Sequence, residues 1–173
     1  MPKLPPPRDP LEALGEAYEL LLEKTQQEAQ KAKVKGGPAL HRLIDEVADK
    51  SSEIAELAGE KADQIREYLK RDLIDAASYL DQTGKELKDW LGFDLSYLED
   101  RLREDFSKAA DQTAIELSKL KLQAEAAGYE TGEIVGPGTL SCDQCGELLH
   151  FHKAGHIPPC PKCQATHFHR EFT

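Results

Sequence analysis

All four cysteines of the 173-residue chain fall within CDQCGELLHFHKAGHIPPCPKC, residues 142–163. They form two Cys-x-x-Cys pairs, Cys142 with Cys145 and Cys160 with Cys163, separated by 14 residues. A Cys-x-x-Cys turn sets two sulfurs on one side of an ion, and two such turns complete the thiolate tetrahedron of a structural metal site. The separation is slightly short of the commonest four-cysteine zinc spacing and within its looser form. Gly146, directly after the first pair, suits the positive φ of such a turn, and Pro161 fixes one φ inside the second. Two local disulfides would require an oxidising compartment. A thioredoxin-type redox pair would want a βαβ pattern around one Cys-x-x-Cys, and none surrounds either pair. Cys142, Cys145, Cys160 and Cys163 are therefore expected to hold one structural Zn2+ per chain. Four protein ligands leave such an ion no open position for water or substrate.

Iron is the rival ion. Tetrahedral sulfur suits iron as well as zinc, and Cys-x-x-Cys-Gly with Cys-Pro-x-Cys resembles the two knuckles of rubredoxins. Those domains have a longer segment between knuckles and an aromatic core with Trp and Tyr. Here the aromatics after Tyr129 are Phe151, Phe168 and Phe172. Zinc is the better fit, and a rubredoxin-like electron carrier the lesser alternative.

Five of the six histidines lie between positions 150 and 169. His150 and His152 share one face of a strand, and His167 and His169 share one face of another. Were those strands to pair, four imidazoles would cluster on the exposed side as a second metal site or a pH-dependent contact surface. The plainer reading of the same pattern is a solvated polar face.

The elements that must position these residues change character near residue 128. Leu140, then Leu149 with Phe151, then Phe168 with Phe172 read as three short strands of a small β unit over residues 140–173. So small a unit cannot hold itself by apolar burial alone, and the ion supplies much of its folding energy. Cys142→Ser or Cys163→Ser is expected to unfold it and leave the helices largely intact. Residues 128–139 contain four glycines and a proline, so 129–139 reads as a Gly-rich linker that lets the β unit move independently.

Upstream, MPKLPPPRDP reads as a disordered leader over residues 1–10. Asp9 suits an N-cap and Pro10 a first helical turn. Leu11, Leu14, Tyr18, Leu21 and Leu22 then recur at helical spacing to about Val34, where Gly36-Gly37-Pro38 stops the helix and opens another. Leu40, Leu43, Val47, Ser51, Ile54, Ala58, Ala62, Ile65, Leu69, Leu73, Ala76 and Leu80 follow at an 11-residue period. That period, about 3.67 residues per turn, predicts a nearly straight helix of about 45 residues, on the order of 65 Å long. Further breaks are expected at Thr83-Gly84 and at Leu91-Gly92-Phe93-Asp94, where Trp90 reads as hairpin packing. Leu95, Leu98, Leu102, Phe106, Ala109, Leu117 and Ala124 carry the stripe on to Gly128. The fold class is mainly α: an elongated antiparallel helical hairpin or coiled-coil bundle over residues 11–128, followed by a small β zinc ribbon. The narrow stripe invites a second copy, as a homodimer through the helices. Within it, Tyr68-Leu69-Lys70-Arg71-Asp72-Leu73 is a brief basic punctuation. It reads as a solvent face with pairs such as Glu67 with Arg71, or else as a docking epitope for an acidic partner.

Charge and composition exclude several classes of function. The formal net charge is −10, which disfavours general affinity for nucleic acid or an anionic membrane. The ribbon itself offers Lys153, Lys162 and Arg170 against Glu133, Asp143, Glu147 and Glu171. The start of the chain has no apolar signal region and no stretch is long enough to span a membrane, so a cytoplasmic setting is expected. No phosphate loop, nucleophile elbow or Ser/His/Asp arrangement appears, so catalysis is not expected.

TGEIVGPGTLSCDQCG (131–146), IPPCPKC (157–163) and HFHREF (167–172) resemble bacterial zinc-ribbon-containing proteins with a helical N-terminal region, and YLKRDL (68–73) is similar to that family's helical motif. The resemblance covers the ribbon closely and the helices loosely, from about residue 40 onward. It implies cytosolic zinc binding with Cys142, Cys145, Cys160 and Cys163 as ligands, and little more. Gln164 departs from it, standing where second knuckles commonly have glycine. The expected function is a non-enzymatic zinc-binding adaptor, its helical rod serving association and its ribbon docking on a protein or nucleoprotein partner. Direct nucleic-acid binding by the ribbon is the alternative.

Overall fold

The helices start and stop on residues with identifiable capping chemistry. In the computed structural model, which describes residues 9–33, 37–83, 104–110 and 128–171, the Asp9 carboxylate accepts the Leu11 N–H at 2.9 Å and opens α1 (Pro10–Ala32). Lys33 closes it with a left-handed φ of 50°, its N–H turned back to the carbonyls of Ala29 and Gln30.

The uninterrupted helix expected from Leu40 to Leu80 is instead three: α2 (Gly37–Lys50), α3 (Ser52–Ala58) and α4 (Ala62–Thr83), with a 3-10 turn over Gly59–Lys61. Ser51 sits in the stripe by spacing, but its hydroxyl accepts the Ile54 N–H at 3.4 Å and caps α3. A serine that satisfies a helix N-terminus competes with continuation through it. Gly59 then takes φ 54°, ψ −131°, and the chain turns again. The two breaks replace a rod with a folded body in which α1 packs on α2, α3 and α4 at once. Leu14, Tyr18, Leu21 and Leu22 join Leu40, Ile44, Ile54, Ile65, Leu69 and Leu73 in one buried cluster, which also takes Phe106 from the helical residues 104–110. The leader up to Arg8, the break at Leu91–Asp94, Trp90 and most of the stripe between 95 and 124 lie outside the described residues. No helix among the described residues is long and apolar enough to cross a membrane.

Beyond Gly128 the chain is β. Six short strands follow: β1 (Tyr129–Glu130), β2 (Ile134–Val135), β3 (Gly138–Cys142), β4 (Leu148–Phe151), β5 (Gly155–His156) and β6 (His167–Arg170). Four form an antiparallel sheet in the order β1-β6-β3-β4, and β2 pairs with β5. β3, β4 and β6 are the three strands the alternation predicts.

The segment 129–139 is not a linker. It supplies β1, β2 and the start of β3, with Tyr129, Ile134, Val135 and Thr139 all buried. Two of its glycines serve close approach: a Cβ on Gly136 would lie 2.6 Å from the Tyr18 hydroxyl and 3.0 Å from the Phe106 ring, and one on Gly138 would run into the Arg170 guanidinium. The β unit thus sits directly on α1 and α4, which pack against β2 and, for α1, β5. Among the described residues, the result is a mostly helical N-terminal region, α1 to α4 with the helical residues 104–110, followed by a small antiparallel β region.

Candidate metal centre

Two turns of the same construction present the cysteines. In the first, the Cys142 N–H donates to the Glu147 carbonyl and the Gly146 N–H to the Cys142 carbonyl, both at 2.9 Å. In the second, the Cys160 N–H donates to the Ala165 carbonyl and the Gln164 N–H to the Cys160 carbonyl, again at 2.9 Å. Each turn needs a left-handed residue after its second cysteine: Gly146 has φ 72° and Gln164 φ 63°. Gln164 holds that conformation while its side-chain amide donates to the Cys160 carbonyl at 3.2 Å.

The turns face each other. Cys142 Sγ lies 3.5 Å from Cys163 Sγ, Cys145 Sγ lies 3.6 Å from Cys160 Sγ, and all four sulfurs fall within 4.8 Å of one another. A tetrahedron with metal–sulfur arms of about 2.3 Å has edges of about 3.8 Å, so the cluster has the size of a tetrathiolate site. All four cysteines are free thiols, and Cys142 and Cys160 are buried.

The backbone around the sulfurs favours thiolates unequally. Burial resists ionisation of Cys160, but the N–H groups of Cys163 and Lys162 outweigh it and bring the thiol down to about 7. The Ala165 N–H favours the Cys163 thiolate, yet burial and the three neighbouring thiols prevail, and it is pushed up to about 12. Cys145 receives the Glu147 N–H and is nonetheless raised by burial and by Cys160 and Cys142. One sulfur gives up its proton near neutrality, and its charge resists the ionisation of the others. A dication held by Cys142, Cys145, Cys160 and Cys163 would reverse that balance and favour all four thiolates.

The histidines do not form a second site. β3 lies between β4 and β6, so the pairing needed to gather four imidazoles does not occur. Each side chain finds its own neighbour instead: His150 Nδ1 is 3.0 Å from Thr139 Oγ1, His167 Nε2 is 3.2 Å from Glu130, and His169 Nδ1 is 2.6 Å from Asp143. Among the described residues, the metal-ligand cluster is the four cysteines.

Behind the sulfurs lies a second constellation that sequence reasoning missed. The Asp72 carboxylate, on α4, has no exposed surface and accepts the Tyr18 hydroxyl at 2.6 Å, the Gly136 N–H at 2.8 Å and Arg71 Nε at 3.0 Å. Arg71 spans to the β region, bonding the Glu133 carboxylate and, at 3.1 Å, the Ile134 carbonyl. Arg170, from β6, has 2% of its side chain exposed; its Nε lies 3.4 Å from Asp75 and its Nη2 3.9 Å from Asp72. The two guanidinium groups lie 4.3 and 5.0 Å from the Tyr129 ring centroid, a cation–π arrangement, and the Tyr129 hydroxyl donates to Asp75 at 2.7 Å. Burial, then Asp72, holds the Tyr18 hydroxyl well above its ordinary value. Burial likewise raises Tyr129, with Asp75 and Asp72 adding to it against the two arginines. Both phenols stay neutral donors.

YLKRDL is therefore not a solvent face. Glu67 pairs with Lys70, and Arg71 turns inward with 13% of its side chain exposed. The acidic partner of this epitope is the chain's own Glu133. A signal was present: Asp72 neighbours Leu73 and lies between Leu69 and Ala76 of the stripe, and Arg170 shares strand parity with buried Phe168. Opposite charges at inward positions of two elements mark a buried contact between them.

Comparison with known proteins agrees with this geometry. The family model DUF1451, described as a zinc-ribbon containing domain, matches residues 26–172. The chain is similar to the uncharacterized protein YbeL of Escherichia coli strain K12, at 26% identity over 133 residues, covering 74% of this chain and 79% of that protein. The YbeL proteins of E. coli O6:H1 and O157:H7 match with the same identity and coverage. No solved structure matches the chain.

Proposed function

The chain belongs to the zinc-ribbon containing domain family, and on that footing we propose that it is a non-enzymatic, cytoplasmic adaptor carrying one structural zinc per chain. Cys142, Cys145, Cys160 and Cys163 would hold the ion, and the ribbon together with the helical body would present a surface to a protein partner. The observation that carries this reading is the mutual approach of four sulfurs within 4.8 Å. A tetrathiolate ion is coordinatively closed and organises structure in place of binding substrate. The buried ion cluster behind it supports the docking role, because a ribbon fixed on its body offers a preorganised surface that loses little entropy on binding. Self-association through the helices is part of the same reading, and a monomer by analytical ultracentrifugation would remove that part. The central test is elemental analysis with a visible spectrum of the same sample. One zinc per chain and no colour is the expected result; one iron per chain, with absorbance that bleaches on reduction, would make the ribbon an electron carrier and overturn it.

A further inference from the structure

Each of the two cysteine turns is connected to one of the two buried arginines. From the first turn the path is short: Cys142 on β3 pairs with Phe168 on β6, and Arg170 lies two residues further on the same inward face. From the second it runs through the loop before Cys160. The Ile157 N–H donates to the Glu133 carbonyl, and the Gly132 N–H to the Ile157 carbonyl, both at 2.9 Å. That places the Glu133 side chain and the Ile134 carbonyl on Arg71. Both arginines end on Asp72, a carboxylate with no exposed surface. If the β unit loses order, Asp72 loses the Gly136 N–H and Arg170 together, and Tyr18 loses the cover of Gly136.

We infer that metal binding and the closure of the helical body are thermodynamically linked through this clamp. The β unit has a buried core of eight residues, two of them cysteines, too small to order itself without the ion. Binding the ion then includes docking the ribbon on α1 and α4, so the clamp contributes to metal affinity although none of its side chains is a ligand. The converse follows by linkage: the ion stabilises the helices, and its loss opens the face of α1 and α4 that carries Tyr18, Asp72 and Asp75. This departs from the sequence expectation of helices indifferent to the metal. It rests on the reading of the cysteines as a zinc site.

The test uses the full chain, zinc, a competing chromophoric chelator and far-UV circular dichroism. Stoichiometry comes first: a chain that binds no zinc overturns both the zinc-site reading and this one, before any variant is made. With one zinc bound, Arg170→Gln is expected to weaken affinity by roughly tenfold, the ordinary range of coupling between linked sites. Tyr129→Phe, which removes one hydroxyl and keeps the ring, should weaken it less and in the same direction, and it serves if Arg170→Gln does not fold. Ile44→Val in α2, outside the clamp, should lower helix stability and leave zinc affinity unchanged. Chelation of the wild type should lower the melting temperature of the helices, and in Arg170→Gln that shift should shrink. Unchanged affinity in both clamp variants, with helices that melt at one temperature with or without zinc, would overturn the linkage and leave the zinc site standing.

Discussion

The sulfur end and the arginine end of the β region hold it in contrasting ways. At the sulfur end four side chains of one type come from 22 consecutive residues, in two turns of matching hydrogen bonds. At the arginine end Tyr18 on α1, the Gly136 N–H and Arg170 on β6 all converge on Asp72 of α4, from as far as 98 residues away along the chain. One end is a local motif suited to an ion; the other is an ion cluster made by the fold itself. Buried charge of the second kind adds little net stability against an apolar replacement, but breaking it is costly because the partner stays buried. The clamp therefore specifies where the ribbon sits more than it drives burial.

The most severe way to break the comparison is to remove a sulfur. Cys163→Ser should abolish stoichiometric metal binding at micromolar protein and disorder β3, β4 and β6, seen as collapse of ribbon amide dispersion by NMR. Retained dispersion without metal would mean that the clamp alone orders the ribbon.

Acid should act on the sulfur end by the same route. Cys163, pushed up to about 12, and Cys145, also raised, carry protons through the neutral range that an incoming ion must expel. Affinity therefore falls as pH falls, by roughly a hundredfold per unit from these two groups alone. Cys160, at about 7, is already ionised above neutrality and becomes a third proton to displace below it. Where the metal-free cysteines keep this geometry, the slope of log affinity against pH should thus steepen by about one on going below pH 7. Competition titrations between pH 6 and 8 measure it, and a constant slope would mean that Cys145, Cys160 and Cys163 do not keep this arrangement before the ion arrives.

Asp72→Ala strikes the other end. It takes one carboxylate away from Arg170 and Arg71, and deprives the Tyr18 hydroxyl and the Gly136 N–H of their acceptor. A loss of about 3–5 kcal/mol in the unfolding free energy of the zinc-saturated protein is expected, read from urea denaturation. A cost under about 1 kcal/mol, the range of exposed ion pairs, would make the clamp a surface feature in energy despite its burial.

The same contrast explains what was legible in the residues. Cys142, Cys145, Cys160 and Cys163 could be read directly because their chemistry and spacing are local, and the alternation around Phe151 and Phe168 located the strands. Asp9 and Pro10 marked the start of α1 for the same reason. Ser51 and Gly59 misled because spacing placed Ser51 in the stripe, while its hydroxyl offered the backbone an alternative that periodicity does not weigh. Gly136 and Gly138 read as a linker because composition cannot distinguish a glycine in open space, as Gly132 is, from one pressed against Tyr18 or Arg170. Arg71 and Asp72 looked like surface charge because their partners lie in another part of the chain, and no local rule pairs them.

The smallest predicted effect compares the two turns with each other. Gly146 and Gln164 occupy equivalent left-handed positions, with φ of 72° and 63°. An L side chain in that region costs about 1–2 kcal/mol, so Gly146→Gln should destabilise the metal-loaded ribbon by about that amount. Gln164→Gly relieves the same penalty, but it loses the amide bond to the Cys160 carbonyl and gives the unfolded chain more freedom. Those terms offset, and a net change within about 1 kcal/mol is expected. Thermal denaturation of the two variants, both zinc-saturated, reads the asymmetry directly. Equal and opposite shifts would mean that the Gln164 side chain does nothing for its turn. A marked loss in Gln164→Gly would make its amide bond the feature that holds the second turn in a shape glycine otherwise provides.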